Sequence, residues 1–206
     1  MITIIKSPLI ESKLGILRNK NTSGKNFRRS MDEISYLIAA EVAKSLIYKK
    51  KKIITPLKKT TILEINQKIV LVPILRAGLG LLEGFIKLIP ESECGHIGLY
   101  RDEETYKPVE YLCKLPKMKN KLVILLDPML ATGNSSKVAI NLLLSHGVKI
   151  KNIFFVSLLS SPEGIKYLKK NFKSLKIFTA SIDERLNQKK FIVPGLGDAG
   201  DRYMGT

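Results

Sequence analysis

Apolar positions along the chain fall into two patterns. Leu122 to Leu126 and Ile69-Val-Leu-Val-Pro-Ile-Leu75 are unbroken apolar runs, which suit strands buried on both faces of a parallel sheet. Asn152 to Leu158 predicts another apolar strand, and Cys94 to Tyr100, Val109 to Leu115 and Lys176 to Ala180 predict further extended segments. Elsewhere the apolar residues recur every three or four positions. Met31, Ile34, Ile38, Val42 and Leu46 predict a helix ending near Lys49, and Leu81, Leu82, Phe85, Ile86 and Ile89 predict a second. Val138, Leu142 and Leu143 predict a third that stops at Gly147, and Pro162-Glu-Gly164 opens a shorter one. Before them, Leu9, Ile10, Leu14, Ile16 and Leu17 lie in an arm up to about Lys20, closed by the turn Asn21-Thr-Ser-Gly24 with its helix caps. Thr55-Pro-Leu57 and Thr60 to Ile65 read as a short extended excursion.

Repeated strand-helix alternation implies an α/β fold: an open, mainly parallel sheet flanked by helices, with an N-terminal helical arm over about 1–50. Ligand loops are expected at the strand carboxyl ends. Arg101-Asp-Glu-Glu-Thr-Tyr-Lys-Pro108 places charged turn residues between two extended runs, so a protruding β-hairpin or lid is expected at about 100–115. No internal repeat or long linker divides the chain, and one domain over 1–206 is the expectation.

The formal net charge of +17 changes the picture only in part. It favours phosphorylated ligands and nucleic acids through long-range attraction, yet most of the excess is Lys, as in Lys49 to Lys52, and such runs usually form a solvated face. Cys94 and Cys113 are too few and too far apart for a zinc site or a disulfide framework, so a reduced, cytoplasmic protein is expected. The first residues make a poor secretory signal. The most apolar stretch, near Ile69 to Ile89, is broken by Arg76, Glu83 and Lys87, which argues against a membrane span. His96 and His146 have no suggestive partners and are assigned to no catalytic role.

Candidate chemistry centres on the end of the Leu122 to Leu126 run. It stops at Asp127, Pro128 blocks further ladder pairing, and Thr132-Gly-Asn-Ser-Ser136 leads into a helix. Such a loop gathers backbone N–H groups and hydroxyls at the positive end of a helix, where a phosphate is stabilised without a Lys or Arg. Asp127 suits sugar hydroxyls or a magnesium-bound water, so a sugar phosphate is the ligand the loop suggests. The other apolar run ends in Arg76, beside Ala77-Gly-Leu-Gly80 at a helix start, and that pairing of a planar fork with backbone donors suits a diphosphate. At the C-terminal end, Phe191-Ile-Val-Pro-Gly-Leu-Gly-Asp-Ala-Gly-Asp-Arg-Tyr-Met-Gly-Thr206 makes a poor helix and reads instead as an ordered glycine-rich loop. Its main chain could approach a planar base closely.

Asp127-Pro-Met-Leu-Ala-Thr-Gly133 resembles the phosphoribosyl diphosphate loop of the phosphoribosyltransferases, in the form used by the uracil phosphoribosyltransferase family. Pro73-Ile-Leu-Arg-Ala-Gly-Leu79, Tyr100-Arg-Asp-Glu-Glu-Thr105, the N-terminal Asn19 to Ser23 with Phe27-Arg28, and Val193-Pro-Gly-Leu-Gly-Asp-Ala-Gly-Asp201 resemble the same family. Two departures stand out. Asn134 takes the place of a usual second Gly, and Asn is the side chain that best tolerates left-handed backbone angles. Ile182-Asp-Glu-Arg-Leu-Asn187 departs from the commoner Asp-Arg-Gly-Leu-Asn order.

The resemblance implies a uracil phosphoribosyltransferase making UMP and diphosphate from uracil and 5-phospho-α-D-ribose 1-diphosphate. It assigns that sugar diphosphate to Arg76, Arg101, Asp127, Pro128, Met129, Leu130, Ala131, Thr132, Gly133, Asn134, Ser135 and Asp198, with Arg76, Arg101 and Asp127 as the catalytic groups. Uracil falls to Ile192, Gly197, Asp198 and Ala199. Mg²⁺ enters as the sugar diphosphate complex, water-mediated near Asp198 and without a direct protein ligand. A homo-oligomer is implied, with room for activation by GTP. The charge leaves an RNA-binding regulator on the same fold as the alternative, while a P-loop nucleotidase lacks its Gly-Lys-Ser/Thr ending.

Overall fold

The computed structural model describes residues 1–101 and 108–206, and of Arg101 it describes the backbone alone. The chain opens with β1 (Ile2–Ile4) and helix α1 (Pro8–Arg18), which buries Ile10, Leu14 and Leu17 on one face. The predicted capped turn follows: the Ser23 hydroxyl accepts the Asn26 N–H and starts α2 (Gly24–Ala43), which buries Phe27, Met31, Ile34, Ile38 and Val42. That helix stops at Ala43 rather than near Lys49. Lys49 to Lys52 belong instead to β2 (Tyr48–Ile54), which pairs antiparallel with β3 (Lys59–Ile65) as a ribbon separate from the main sheet. Two causes favour strand here. β-Branched Ile53, Ile54, Thr60, Thr61 and Ile62 suit a pleated surface, and the pairing sets Glu64 opposite Lys49 and within ion-pair reach of Lys51.

The main sheet begins with β4 (Ile69–Leu75), followed by α3 (Leu79–Leu88), the short β5 (Glu93–Cys94), β6 (His96–Arg101) and β7 (Pro108–Lys114). The β6–β7 pair is antiparallel, as the predicted hairpin requires, with Arg101 opposite Pro108; its tip, 102–107, lies outside the described residues. Then come β8 (Leu122–Leu126), the short β9 (Met129–Leu130), α4 (Asn134–Ser145), β10 (Ile153–Ser160), α5 (Pro162–Asn171) and β11 (Lys176–Ile182). Strand order is β1-β11-β10-β8-β4-β6-β7, parallel throughout except for the β6–β7 edge. Every residue of β8 and β10 is buried. Leu71, Ile124 and Val156 pack with α1, α2 and α3 on one face, while Val70, Val72, Val123, Leu125 and Phe155 pack with α4 and α5 on the other. Two covered faces are why these runs do not alternate.

From β4 the chain runs outward through β6 and β7, then returns to the opposite side of β4 as β8. This reversal opens a crevice at the carboxyl ends of β4 and β8, where Pro73 lies opposite Leu126. The C-terminal segment closes one side of it. There β12 (Arg185–Leu186) pairs with β13 (Ile192–Val193), and Ala199–Met204 forms a helix, α6. A helix was not expected among so many glycines. The ends explain it: Gly205 stops α6 in the left-handed conformation, and Asp198 caps its start. Among the described residues no helix is long and apolar enough to cross a membrane.

Candidate active site

Arg76 immediately follows β4, and its turn is pressed onto the end of β8. The Gly78 N–H donates to the Ile74 carbonyl at 2.8 Å, and a Cβ at Gly78 would lie 2.5 Å from the Leu126 carbonyl oxygen. Only glycine permits that approach, which fixes the Arg76 turn beside the residue preceding Asp127. The Arg76 side chain is half-exposed, and its Nη2 donates to Asp201 Oδ1 at 3.0 Å.

Asp127 follows β8, its N–H donating to the Val156 carbonyl at 3.1 Å. Among the described residues its carboxylate accepts only a long contact from the Met129 N–H at 3.4 Å, so little offsets the loss of hydration. Burial therefore pushes its pKa up to about 7. Beyond it, Gly133 takes the left-handed conformation at φ 81° and caps α4. Asn134 is the first helical residue, so it needs no left-handed angle; the expectation attached to it is met by Gly133 instead. The back of this loop rests on the start of α5. Ser161 Oγ donates to the Ala131 carbonyl at 2.6 Å and accepts the Gly164 N–H, and a Cβ at Gly164 would lie 2.3 Å from that same carbonyl. The first-turn N–H groups of α4 lack intrahelical acceptors, and that of Asn134 reaches the Thr132 hydroxyl only at 3.4 Å, an arrangement that suits an anion.

Across the crevice runs the C-terminal loop. Gly195 (φ 62°) makes a turn so tight that a Cβ would lie 2.1 Å from the Ile192 carbonyl. Asp198 Oδ1 accepts the Asp201 N–H at 2.9 Å and so caps α6. Together the three loops enclose a cleft of about 660 Å³.

A family model described as uracil phosphoribosyltransferase matches residues 4–206. The chain belongs to the uracil phosphoribosyltransferase family. Within that family, a Lactococcus lactis protein named uracil phosphoribosyltransferase is 51% identical over 98% of this chain and 97% of its own. One of the same name from Clostridium novyi is 50% identical over 100% and 98%. The solved structure of the AQ2163 protein from Aquifex aeolicus superposes with a TM-score of 0.92 at 38% identity, covering 98% of this chain and 97% of that one. A purine phosphoribosyltransferase from Pyrococcus horikoshii shares the fold more distantly, with a TM-score of 0.51 at 16% identity over 75% of this chain and 84% of its own.

As in the uracil phosphoribosyltransferase reading of the sequence, Arg76, Asp127, Met129, Ala131, Ser135, Ile192, Gly197, Asp198 and Ala199 all line this one cleft. Pro128 and Leu130 do not. Both are buried, with the Pro128 carbonyl accepting the Leu158 and Leu159 N–H groups and Leu130 packed in the core, so they shape the loop from behind. Thr132, Gly133 and Asn134 form the turn between Ala131 and Ser135, both of which line the cleft, and Asn134 is exposed. The Arg101 side chain lies outside the described residues. Lining residues not singled out from the sequence include Tyr100, Tyr111, Lys190, Phe191 and Asp201. Asp201 had a signal, being the second acid of the quoted Asp198-Ala-Gly-Asp segment. Tyr111 had none, since only strand pairing brings it within 6.3 Å of Tyr100.

Proposed function

We propose that this cleft transfers the phosphoribosyl group of 5-phospho-α-D-ribose 1-diphosphate to N1 of uracil, giving UMP and diphosphate, within one domain spanning the chain. The observation that carries this is the meeting of Arg76 and Asp127, at adjacent strand ends, with the glycine-rich base loop in a single cleft.

The start of α4 and the Ser135 hydroxyl hold the 5′-phosphate, which places C1 of the ribose against the base. Asp127 accepts from ribose hydroxyls and stabilises positive character on the ring as the C1–O bond opens. Arg76, with Arg101 from the hairpin, stabilises the charge growing on the diphosphate. Main-chain groups around Ile192 and Gly197 to Ala199 read the pyrimidine edge. The carboxylates of Asp127 and Asp198 are hard oxygen donors that fit magnesium, which keeps several waters. Asp198 uses Oδ1 to cap α6, leaving its other oxygen for a metal-bound water. The metal supplies charge neutralisation at the leaving diphosphate.

A homo-oligomer is part of the proposal, with GTP as an activator to be tested. The β2–β3 ribbon supports the oligomer, because two-stranded hairpins are marginal alone in water and this one exposes Ile54, Leu57 and Leu63 for a second copy to cover. Free Cys94 and Cys113 fit a reducing, cytoplasmic setting. The RNA-binding alternative rests on net charge alone, and the relatives are named as the enzyme.

The test offers uracil, cytosine, hypoxanthine and orotate in parallel with the sugar diphosphate and Mg²⁺, with and without GTP, and separates the nucleotides formed. UMP from uracil and no nucleotide from the other bases is expected. Equal turnover of cytosine or orotate, or no product at all, would contradict the assignment.

A further inference from the structure

Both main-chain polar groups of Gly195 end on one ion pair. The Gly195 N–H donates to Asp183 Oδ2 at 2.9 Å, and the Gly195 carbonyl accepts from Arg18 Nη1 at 2.8 Å. Arg18 and Asp183 are themselves joined two-fold, Nη1 to Oδ2 at 2.7 Å and Nη2 to Oδ1 at 2.6 Å, and Ser181 Oγ adds a contact to Oδ1 at 3.1 Å. Asp183 is buried. Burial alone would raise its pKa, but the Arg18 guanidinium and the Gly195 N–H outweigh that and hold it below the ordinary carboxylate range.

The same loop is tied to the N-terminal arm a second time. Arg202 lies over the Phe27 ring at 4.4 Å and donates to the carbonyls of Leu17 at 2.5 Å, Leu196 at 2.7 Å and Asn19 at 2.8 Å. Leu17 and Asn19 sit at the carboxyl end of α1, whose last carbonyls have no helical partner. The end of α1 is thereby a fixed post. Arg18 and Arg202 reach from it, or to it, on either side of Gly195 and Leu196, between the cleft residues Ile192 and Gly197.

We infer that Arg18 is a positioning residue for base recognition: through Asp183 and the Gly195 carbonyl it holds the 192–199 loop in the shape that reads the pyrimidine. This deepens the proposed function and rests on the assignment of Ile192 and Gly197 to Ala199 to the base. Arg18 is not among the residues that line the cleft. It acts because main-chain donors and acceptors discriminate a base only when held within fractions of an ångström: Ile192, Leu196 and Ala199 anchor the loop in the core, but Gly195 between them has no side chain to hold its own backbone.

The experiment compares Arg18→Ala, Arg18→Lys, Leu14→Ala and Ala199→Val for KM of each substrate, kcat and melting temperature. Leu14 is buried in α1 and takes no part in the Arg18–Asp183–Gly195 hydrogen bonds, so Leu14→Ala loosens the arm without removing the ion pair. Arg18→Ala should raise KM for uracil by about tenfold or more and leave KM for the sugar diphosphate within about twofold. Arg18→Lys keeps the charge without the two-fold geometry and should fall between, which provides the reading even where the alanine variant folds poorly. Leu14→Ala should melt earlier with uracil KM unchanged. The inference is overturned if Leu14→Ala raises uracil KM as much as Arg18→Ala does, or if both substrates' KM values move together. Ala199→Val separates the two levels: if it leaves uracil KM unaltered, the base sits elsewhere and the loop reading itself fails. If it raises uracil KM while neither Arg18 variant does, only the role of Arg18 is lost.

Discussion

Arg76 and Asp201 form an ion pair across the mouth of the cleft, Nη2 to Oδ1 at 3.0 Å, so the cation proposed for diphosphate already faces a carboxylate. Both side chains are about half exposed, and pairs of that kind are worth about 0–1 kcal/mol, small enough for a charged ligand to displace. On the proposed assignment Asp201 should compete with diphosphate. Asp201→Asn should tighten inorganic diphosphate binding by about two- to fivefold, measured by titration calorimetry at low ionic strength, and the gain should shrink in salt. Weaker binding in the variant would mean that Asp201 orients Arg76 instead of competing for it.

Asp127 should set a pH dependence of stability. Its ordinary pKa of 3.8 is pushed up to about 7 in the fold, so the folded protein binds a proton here that the unfolded chain has already lost. The stability it contributes is fully present below about pH 4 and is lost as pH rises through about 7. Asp127→Asn cannot ionise. It should be more stable than the parent above pH 7, by on the order of 4 kcal/mol, and match it near pH 4, while turnover falls by about 100-fold or more. Thermal melts from pH 4 to 8 check the first part; identical melting curves for the two proteins at pH 8 would contradict it.

Asp198→Asn should separate activity from folding. Asn caps helices as well as Asp, so α6 survives the change, while the negative oxygen facing the cleft is lost. Activity should drop by about tenfold or more with the melting temperature nearly unmoved. A variant that is less stable yet fully active would defeat the assignment.

Gly78→Ala tests how the Arg76 turn is held. The new methyl group would lie 2.5 Å from the Leu126 carbonyl and 2.7 Å from that of Ile74, both backbone atoms that cannot swing aside. A loss of about 2 kcal/mol in stability and a raised KM for the sugar diphosphate are expected. Wild-type values in both would show that the turn has room the geometry does not suggest.

The parts of this molecule that sequence reveals are those whose cause is local. β4 and β8 stand out because both faces are covered, and Arg76 and Asp127 follow because each comes directly after an apolar run. The β2–β3 ribbon was hidden by Lys49 to Lys52, whose partner Glu64 is supplied only by the pairing. The helix α6 was hidden because it is short and set by the Asp198 cap and the Gly205 stop, which apolar spacing does not reveal. Arg18 with Asp183, and Arg202 with Leu17, meet across 165 and 185 positions of chain, and no periodicity signals such partners. The tip of the hairpin, expected to act as a lid, lies outside the described residues.

The most direct measurement is the initial rate of UMP formation over a grid of uracil and sugar diphosphate concentrations, for the parent, Arg76→Ala and Ala199→Val. One cleft with an anion half and a base half predicts UMP from the parent. It also predicts that Arg76→Ala loses about 100-fold or more in kcat/KM for the sugar diphosphate, while Ala199→Val chiefly raises KM for uracil. Undiminished kinetics in Arg76→Ala, or two variants that disturb the same substrate, would contradict it.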